Sequence, residues 1–304
     1  MIKKVIKALP GYSALKTKRD EKKFRQELAE VYKRAEDHSF MKDCDEGQKA
    51  EWRERIDLAV GCPDTNKINC LSGTAKLEGD YFLMHNGIKI LPLSYYGYPM
   101  LQLLHENKGI HEPQEEYVFQ EVLKSMRPGA TMIELGAYWS FYSMWFHKEV
   151  EGAKNYMIEP WEIEHGIKNF EINDLKGEFF QFYISKEPGV HHDGSNIISV
   201  DSFVADQKIE FVDILHSDIQ GNELLMLEGA KELLSSRKVG YVFVSTHSND
   251  LHKDCAAVLD GHGFVQLCSA DLDETYSYDG LLVYRNPDYP GLDKVEISHR
   301  GKDD

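Results

Sequence analysis

Two side chains in this 304-residue chain stand where proton transfer from a hydroxyl would need them. Asp218 follows the apolar run 211–216, and His247 follows the apolar run 240–246. A carboxylate paired with an imidazole can take a hydroxyl proton, the carboxylate orienting the ring. His216 and Glu223, in Leu215-His-Ser-Asp-Ile-Gln-Gly-Asn-Glu223, stand close enough in sequence to join them. Singly, each has a plainer reading: an aspartate after a strand caps a helix, and a histidine fills a polar position in the core. His216, Asp218 and His247 are also metal-ligand types. They lack a spacing such as H-E-x-x-H, however, and no metal is expected.

A second group of residues suits a nucleoside. The run Thr131–Leu135 ends in Glu134-Leu-Gly-Ala-Tyr-Trp-Ser140. Gly136 lets backbone pass close to a ligand, and Glu134 is placed to orient the loop or bind a polar group. Glu159-Pro160 closes the next apolar run, about the interval after Gly136 at which an acidic residue meets a ribose diol. A dinucleotide would require G-x-G-x-x-G to cradle a pyrophosphate, and positions 138, 139 and 140 are Tyr, Trp and Ser. The loop therefore suits a nucleoside without phosphates, such as S-adenosylmethionine, better than NAD. Ala137, Tyr138 and Pro160 flank the same strand ends and join the expected cofactor contacts.

These residues need a scaffold that gathers strand ends. Short apolar runs at 131–135, 155–159, 179–184, 211–216, 240–246, 264–269 and 280–285 read as strands, most of them buried on both faces. Helical patterns at 139–148, 162–174, 222–235 and 251–261 separate them, and another follows Pro113 with Val118, Phe119, Val122, Leu123 and Met126 on one side. Alternating strands and helices make a doubly wound, mostly parallel α/β sheet, with the last two strands as an antiparallel pair at its edge. Ligands of such sheets lie outside the carboxyl ends of the strands where the strand order reverses.

Upstream, Phe24, Leu28, Val31, Tyr32 and Ala35 mark an amphipathic helix over about 20–37, to be packed on the body or on a second copy of the chain. Gly61-Cys-Pro-Asp-Thr-Asn66 reads as a turn, and Tyr81–Met84 with Ile88–Leu91 as a β-hairpin. Ser94-Tyr-Tyr-Gly-Tyr98 and Gly109-Ile-His-Glu-Pro113 offer aromatic faces and a His/Glu pair suited to a sugar, or to packing of this segment on the sheet. His191-His192-Asp193 is a polar loop that could reach an adenine. The expected organisation is an appendage over 1–112 with a lid on the substrate side, a catalytic domain over 113–290 and a polar tail over 291–304.

Composition narrows the partners. A formal net charge of −16 argues against nucleic acid, which demands a basic footprint, and leaves a small-molecule or glycan acceptor. The first 34 residues run the other way, with 11 Lys/Arg against 4 Asp/Glu, a basic face that would also suit an anionic membrane surface. No apolar run approaches the length of a membrane span. Five cysteines without a C-x-x-C pair fit reduced thiols, hence a cytoplasmic location.

Taken together, the motifs resemble the FkbM family of methyltransferases. That family carries G-A-x-x-G after the first strand, E-P after the second and K-x-D-x-E-G-x-E after the fourth. Here the similar segments are Gly136-Ala-Tyr-Trp-Ser140, Glu159-Pro160 and His216–Glu223, with Val200-Asp-Ser-Phe203 and Leu227-Glu-Gly-Ala230 in the family's order, over roughly 113–285. The resemblance implies a class I, seven-stranded methyltransferase fold that uses S-adenosylmethionine and methylates hydroxyls of sugars, glycans or natural products. It places Gly136, Glu159 and Ser217-Asp218 around the cofactor or the transfer site. Three positions depart from the pattern: Ser140 replaces a glycine, His216 a lysine and Gln220 a glutamate. Those departures leave open a binding subunit with a degenerate site.

Overall fold

Apolar runs that carry no polar face must be covered on both sides, and this dictates the architecture. The structure is a computed structural model that describes residues 5–7 and 18–301. Strand β1 (Val5–Lys7) precedes helices α1 (Lys18–Glu36) and α2 (Glu46–Gly61). A small antiparallel sheet follows, with β2 (Lys76–Glu78), β3 (Tyr81–Leu83) and β4 (Lys89–Ile90), and then α3 (Gly97–Glu106) and α4 (Pro113–Leu123). Next come β5 (Thr131–Leu135), α5 (Phe141–Glu149), β6 (Lys154–Ile158), α6 (Ile163–Ile172) and β7 (Glu178–Phe180). Three short strands, β8 (Tyr183–Ile184), β9 (Gly189–Val190) and β10 (Asn196–Ile198), form a side sheet. The chain continues with α7 (Val200–Gln207), β11 (Val212–Ser217), α8 (Glu223–Glu228), α9 (Lys231–Ser235) and β12 (Val239–Thr246). It closes with α10 (Asn249–Gly261), β13 (Val265–Ala270) and β14 (Gly280–Arg285).

The main sheet has the order β1-β7-β6-β5-β11-β12-β14-β13. Strands β7, β6, β5, β11 and β12 are parallel, and β14 runs antiparallel between β12 and β13. Seven of these strands make the doubly wound sheet expected from the sequence, and β1 adds an eighth at the edge, antiparallel to β7. Connections leave β5 in opposite directions, toward β6 on one side and β11 on the other, so the switch point lies between their carboxyl ends.

Alternation along the strands splits the core in two. Tyr241 and Phe243 of β12 face one cluster, whereas Val242 and Val244 face the other. The first cluster is shared by α4, α5, α6 and the N-terminal segment, including Ile56, Phe82, Met100 and Leu104. The second is covered by Phe203, Leu227, Leu234, Cys255 and Leu259 of the helices from α7 to α10. Helix α1 packs on its own chain: Leu28 and Val31 are buried, Tyr32 donates to the Gly79 carbonyl (3.0 Å), and the Arg34 guanidinium lies 3.8 Å from the Tyr98 ring centroid. Part of the basic N-terminal stretch, residues 1–4 and 8–17, lies outside the described residues, as do 302–304.

Local differences from the sequence expectations have local causes. The helix expected over 222–235 is two helices, because the Asp201 carboxylate accepts from the Glu232 and Leu233 amides (2.8 and 2.9 Å) and starts a second one. Gly229, at the break, lies against the Ser185 carbonyl, where a Cβ would stand only 2.6 Å from the oxygen. The strand expected over 179–184 ends at Phe180, and Tyr183–Ile184 joins the side sheet instead. The hairpin around Gly87 is present and gains a third strand, β2. Residues 63–66 form a 3-10 turn, and the five cysteines are free.

One buried carboxylate clamps the bottom of the sheet. Asp213 is fully buried and accepts from Arg127 Nε (2.9 Å), the Tyr289 hydroxyl (2.7 Å) and the Thr131 amide (2.8 Å). It ties β11 to the start of β5 and to the segment after β14. Asp213→Ala leaves a buried amide and hydroxyl unpaired. It is expected to lower unfolding free energy by about 2–3 kcal/mol in urea titration, with Asp213→Asn intermediate.

Candidate functional site

The carboxyl ends of β5, β6 and β11 enclose a cavity of about 560 Å³. Its floor is the loop after β5. Gly136 has φ +74°, and a Cβ built there would overlap the Asp218 carbonyl oxygen, so only glycine lets the ends of β5 and β11 meet. Tyr138 and Ser140 are also left-handed (φ +34° and +60°). Position 140, a glycine in the family pattern, thus keeps the backbone geometry of glycine although it is serine. The Ser140 hydroxyl is buried without a hydrogen-bond partner.

Glu159 forms the second wall. Its carboxylate accepts from the Tyr138 amide (3.3 Å), the Trp161 amide (3.0 Å) and the Glu162 amide (3.4 Å), which hold it at the rim of the cavity. Burial pushes its pKa up, against those amides. Pro160, Trp161, Phe182, Tyr183 and Ile184 give an apolar and aromatic flank, and Tyr95 and Tyr96 come over from the N-terminal segment. Tyr95 stacks on Trp139 at 4.3 Å and 8°. The donor set fits a nucleoside: a fixed carboxylate for hydroxyls, an apolar flank for a base, and a glycine floor.

Asp218 lies on the third wall. Behind it, His247 Nε2 is 3.2 Å from Asp218 Oδ1 and 3.3 Å from Asp279 Oδ1, and Nδ1 is 3.0 Å from Glu223 Oε1. Burial opposes a charge on this imidazole, but Asp218, Glu223 and Asp279 outweigh it and push its pKa up to about 10. Asp279 is pushed up to about 7, first by burial and then by the charges of Asp218 and Glu112. Gln220 Nε2 donates to Asp218 Oδ1 (3.1 Å), where the glutamate of the family pattern would set a like charge.

Of the residues singled out in the sequence, Gly136, Tyr138, Glu159, Pro160 and Asp218 line this one cavity, with His247 beside Asp218. Glu134, Ala137, Ser217 and His216 do not. Glu134 is buried beneath the loop, accepts from the Ser143 amide (3.2 Å), and is pushed up to about 7 chiefly by burial. Ala137 is buried, its amide donating to the Ile158 carbonyl (3.1 Å), and Ser217 is fully buried. His216, expected as a base next to Asp218, lies apart from the cavity. Strand β11 ends at Ser217, so Asp218 turns to the cavity while His216 stays in the interior, 2.6 Å from Glu115. His191 stacks on Tyr183 (3.9 Å), at the outer edge of the flank. Asp279 escaped the sequence reading. The register that pairs Thr246 with Gly280 brings it to His247, since an antiparallel strand enters the sheet where its parallel neighbours leave it.

Beneath the site, the start of α4 buries three carboxylates. His111 Nδ1 is 2.6 Å from Glu116 and Nε2 is 3.1 Å from Glu112, while His85 Nε2 lies 2.9 Å from Glu116. Glu115 takes His216 and the Ser245 hydroxyl (3.0 Å), and Tyr142 donates to Glu112 (3.1 Å). Burial disfavours charge on His111, yet Glu112 and Glu116 prevail and push it up to about 10. Glu112 is held down at about 2 by His111 against its own burial.

This strand order, with a glycine-floored pocket at its switch point, defines a class I methyltransferase fold. The profile of the "Methyltransferase FkbM domain" family matches residues 88–266, more than half of the chain. The chain belongs to that family, and its methyl donor is S-adenosylmethionine. Among solved structures it is similar to M. capricolum TrmK in complex with S-adenosyl-homocysteine (12% identity, 60% of this chain and 71% of that one, TM-score 0.39). A SAM-dependent methyltransferase from Aquifex aeolicus (14%, 55% and 89%, 0.36) and a putative rRNA-methylase from Clostridium thermocellum (9%, 58% and 97%, 0.43) are also similar. No curated protein sequence matches the chain.

Two outcomes follow from the buried geometry. Ser140→Gly removes a left-handed serine and an unpartnered hydroxyl. It should raise unfolding free energy by about 1 kcal/mol, the relief of strain exceeding the added flexibility of the unfolded chain, as read from the denaturant midpoint. The raised pKa of His111 makes its contribution to stability complete below about pH 6.5, the unfolded value, and lost as pH climbs to about 10. The stability gap between the natural chain and His111→Gln should therefore shrink over that window. A gap independent of pH would show that His111 is neutral in the fold.

Proposed function

We propose that this enzyme transfers the methyl group of S-adenosylmethionine to a hydroxyl of a sugar, glycan or related small molecule. The observation that supports this best is Asp218, which lines the same cavity as Gly136 and Glu159 and has His247 against its other side. When bound, the cofactor supplies a methyl carbon on a positively charged sulfur. Glu159 accepts hydrogen bonds from its ribose hydroxyls, and Gly136 leaves room for it. Tyr96 and Trp161, 46% and 64% exposed, offer ring faces at the cavity for the apolar face of a sugar.

Asp218 takes the acceptor's proton while the new O–C bond forms. The S–C bond breaks with its electron pair staying on sulfur, so a neutral thioether leaves. His247 positions Asp218. In this reading residues 1–112 form an appendage that covers the acceptor side through Tyr95 and Tyr96, residues 113–290 carry out the transfer, and 291–304 are a polar tail. The net charge of −16 favours a sugar-like acceptor over nucleic acid. No described helix is long and apolar enough to cross a membrane, and a cytoplasmic enzyme is consistent with that.

The test is transfer of labelled methyl from S-adenosylmethionine to a panel of saccharides. Product should appear as a methyl ether, and Asp218→Asn should lower kcat by about 100-fold while the cofactor still raises Tm. Glu159→Ala should weaken the cofactor by roughly 10–100-fold, seen as a smaller Tm shift at fixed concentration. Methylation only of amines or thiols would overturn the hydroxyl assignment.

A further inference from the structure

The cluster behind the cavity holds more negative charge than one hydroxyl acceptor requires. One ligand atom from each of Asp218, Glu223 and His247 lies within 4.8 Å of the others, and Asp279 Oδ1 is a further carboxylate oxygen 3.3 Å from His247 Nε2. Glu223 is fully buried, and Asp218 and His247 are partly buried. Arg55 contributes positive charge nearby, and Glu112 adds another negative one. Three carboxylates thus surround the single imidazole of His247, with Arg55 nearby, while Glu112 is matched by His111.

His247 is set among carboxylates rather than in water: its Nε2 stands 3.2 and 3.3 Å from Asp218 and Asp279, and its Nδ1 3.0 Å from Glu223. One imidazole nitrogen can ligate a given ion; taking Nε2, its 3.2 Å from Asp218 Oδ1 is near the roughly 3 Å between neighbouring ligands held at about 2.1 Å by one cation, and a Glu223 oxygen lies within 4.8 Å of the pair. Glu223 is already oriented for such a role by the Ile219 and Gly221 amides (3.1 and 3.2 Å). The three ligand types come from the exit of β11, the start of α8 and the exit of β12, elements fixed by the sheet, and such rigid positions favour a metal site.

We propose that Asp218, Glu223 and His247 bind a divalent cation of the Mn²⁺ or Zn²⁺ type, with Asp279 adding to its negative surroundings. The mixture of one imidazole and carboxylate oxygens suits borderline and hard first-row ions. This deepens the reading of the same site as a hydroxyl methyltransferase. Asp218 reaches both the cluster and the cavity wall, so the ion stands where an acceptor hydroxyl would meet it, and it would hold that oxygen and ease loss of its proton. The spacing of these residues in the sequence announces no metal; strand order alone assembles the donors.

The experiment is Mn²⁺ titration of the full chain at neutral pH, after treatment with chelator and dialysis, followed by calorimetry and by loss of the free-ion electron paramagnetic resonance signal. One ion per chain should bind in the micromolar range, and His247→Ala and Asp218→Asn should each weaken it by at least tenfold. Should His247→Ala fail to fold, the near-isosteric Asp218→Asn decides. A retained Tm shift with S-adenosylmethionine reports that a variant is folded. No saturable binding below about 1 mM, or binding unchanged in a folded variant, overturns the site. Binding is read without turnover, so absent metal beside intact ether formation defeats only this inference, whereas metal binding without ether formation defeats only the hydroxyl reading.

Discussion

Two strand ends, those of β5 and β11, approach so closely that no side chain fits between them. Gly136 lies against the carbonyl of Asp218, and the Asp218 amide donates back to the Leu135 carbonyl at 3.0 Å. This contact sets the depth of the cavity and aims the loop 136–140 across it. It also brings the residue after β11 to the wall. Any Cβ at 136 would push the two ends apart, and with them the pocket and the carboxylate that serves it. The left-handed backbone at Tyr138 and Ser140 continues the same tight turn into α5, where strain is tolerated because packing on both sides overdetermines it.

Below this contact lies an unusual concentration of buried charge. Glu112 stands at the N-cap of α4 and Glu115 and Glu116 in its first turn, where the helix dipole favours negative charge; Glu112 and Glu116 share His111, Glu116 also meets His85, and Glu115 meets His216. These pairs join the N-terminal segment, α4 and β11 in one interior network beneath the loop. Burying charges is costly unless they are paired, so such a network fixes register more than it adds stability. His216 belongs to this support. Its replacement of the family's lysine exchanges a long flexible cation for a short ring that reaches Glu115 directly and packs near Phe243 and Tyr142.

The cavity joins two kinds of surface. One flank, from Glu159 to Ile184, is largely apolar with the carboxylates of Glu159 and Glu162 at its rim; the opposite side, around Asp218, carries Asp218, Glu223 and Asp279 with His247, and Arg55 nearby. A nucleoside and a polar acceptor call for such different walls. The N-terminal segment supplies Tyr95 and Tyr96 over the junction, and Arg55 lies 6.0 Å from the Tyr96 ring. Segments distant in the chain thus meet at the place where methyl donor and acceptor would have to meet.

Sequence alone determined the elements, because burial on both faces writes itself as continuous apolar runs. The strands near 131–135, 154–158, 212–217, 239–246 and 280–285 stand where those runs stand, and Gly136, Glu159 and Asp218 follow the first three of them. Their convergence was readable since parallel strands deliver their ends to one side of a sheet. What the tertiary structure decided is which way each side chain turns once its strand has stopped. His216 and Asp218 are two residues apart and have opposite fates, because alternation holds within a strand and lapses past Ser217. Asp279 reaches His247 only through the antiparallel entry of β14, and the tyrosines at 95 and 96 only through docking of the N-terminal segment on the first core cluster. Short-range pattern records burial, while a site made of charges depends on long-range register, which no local spacing contains.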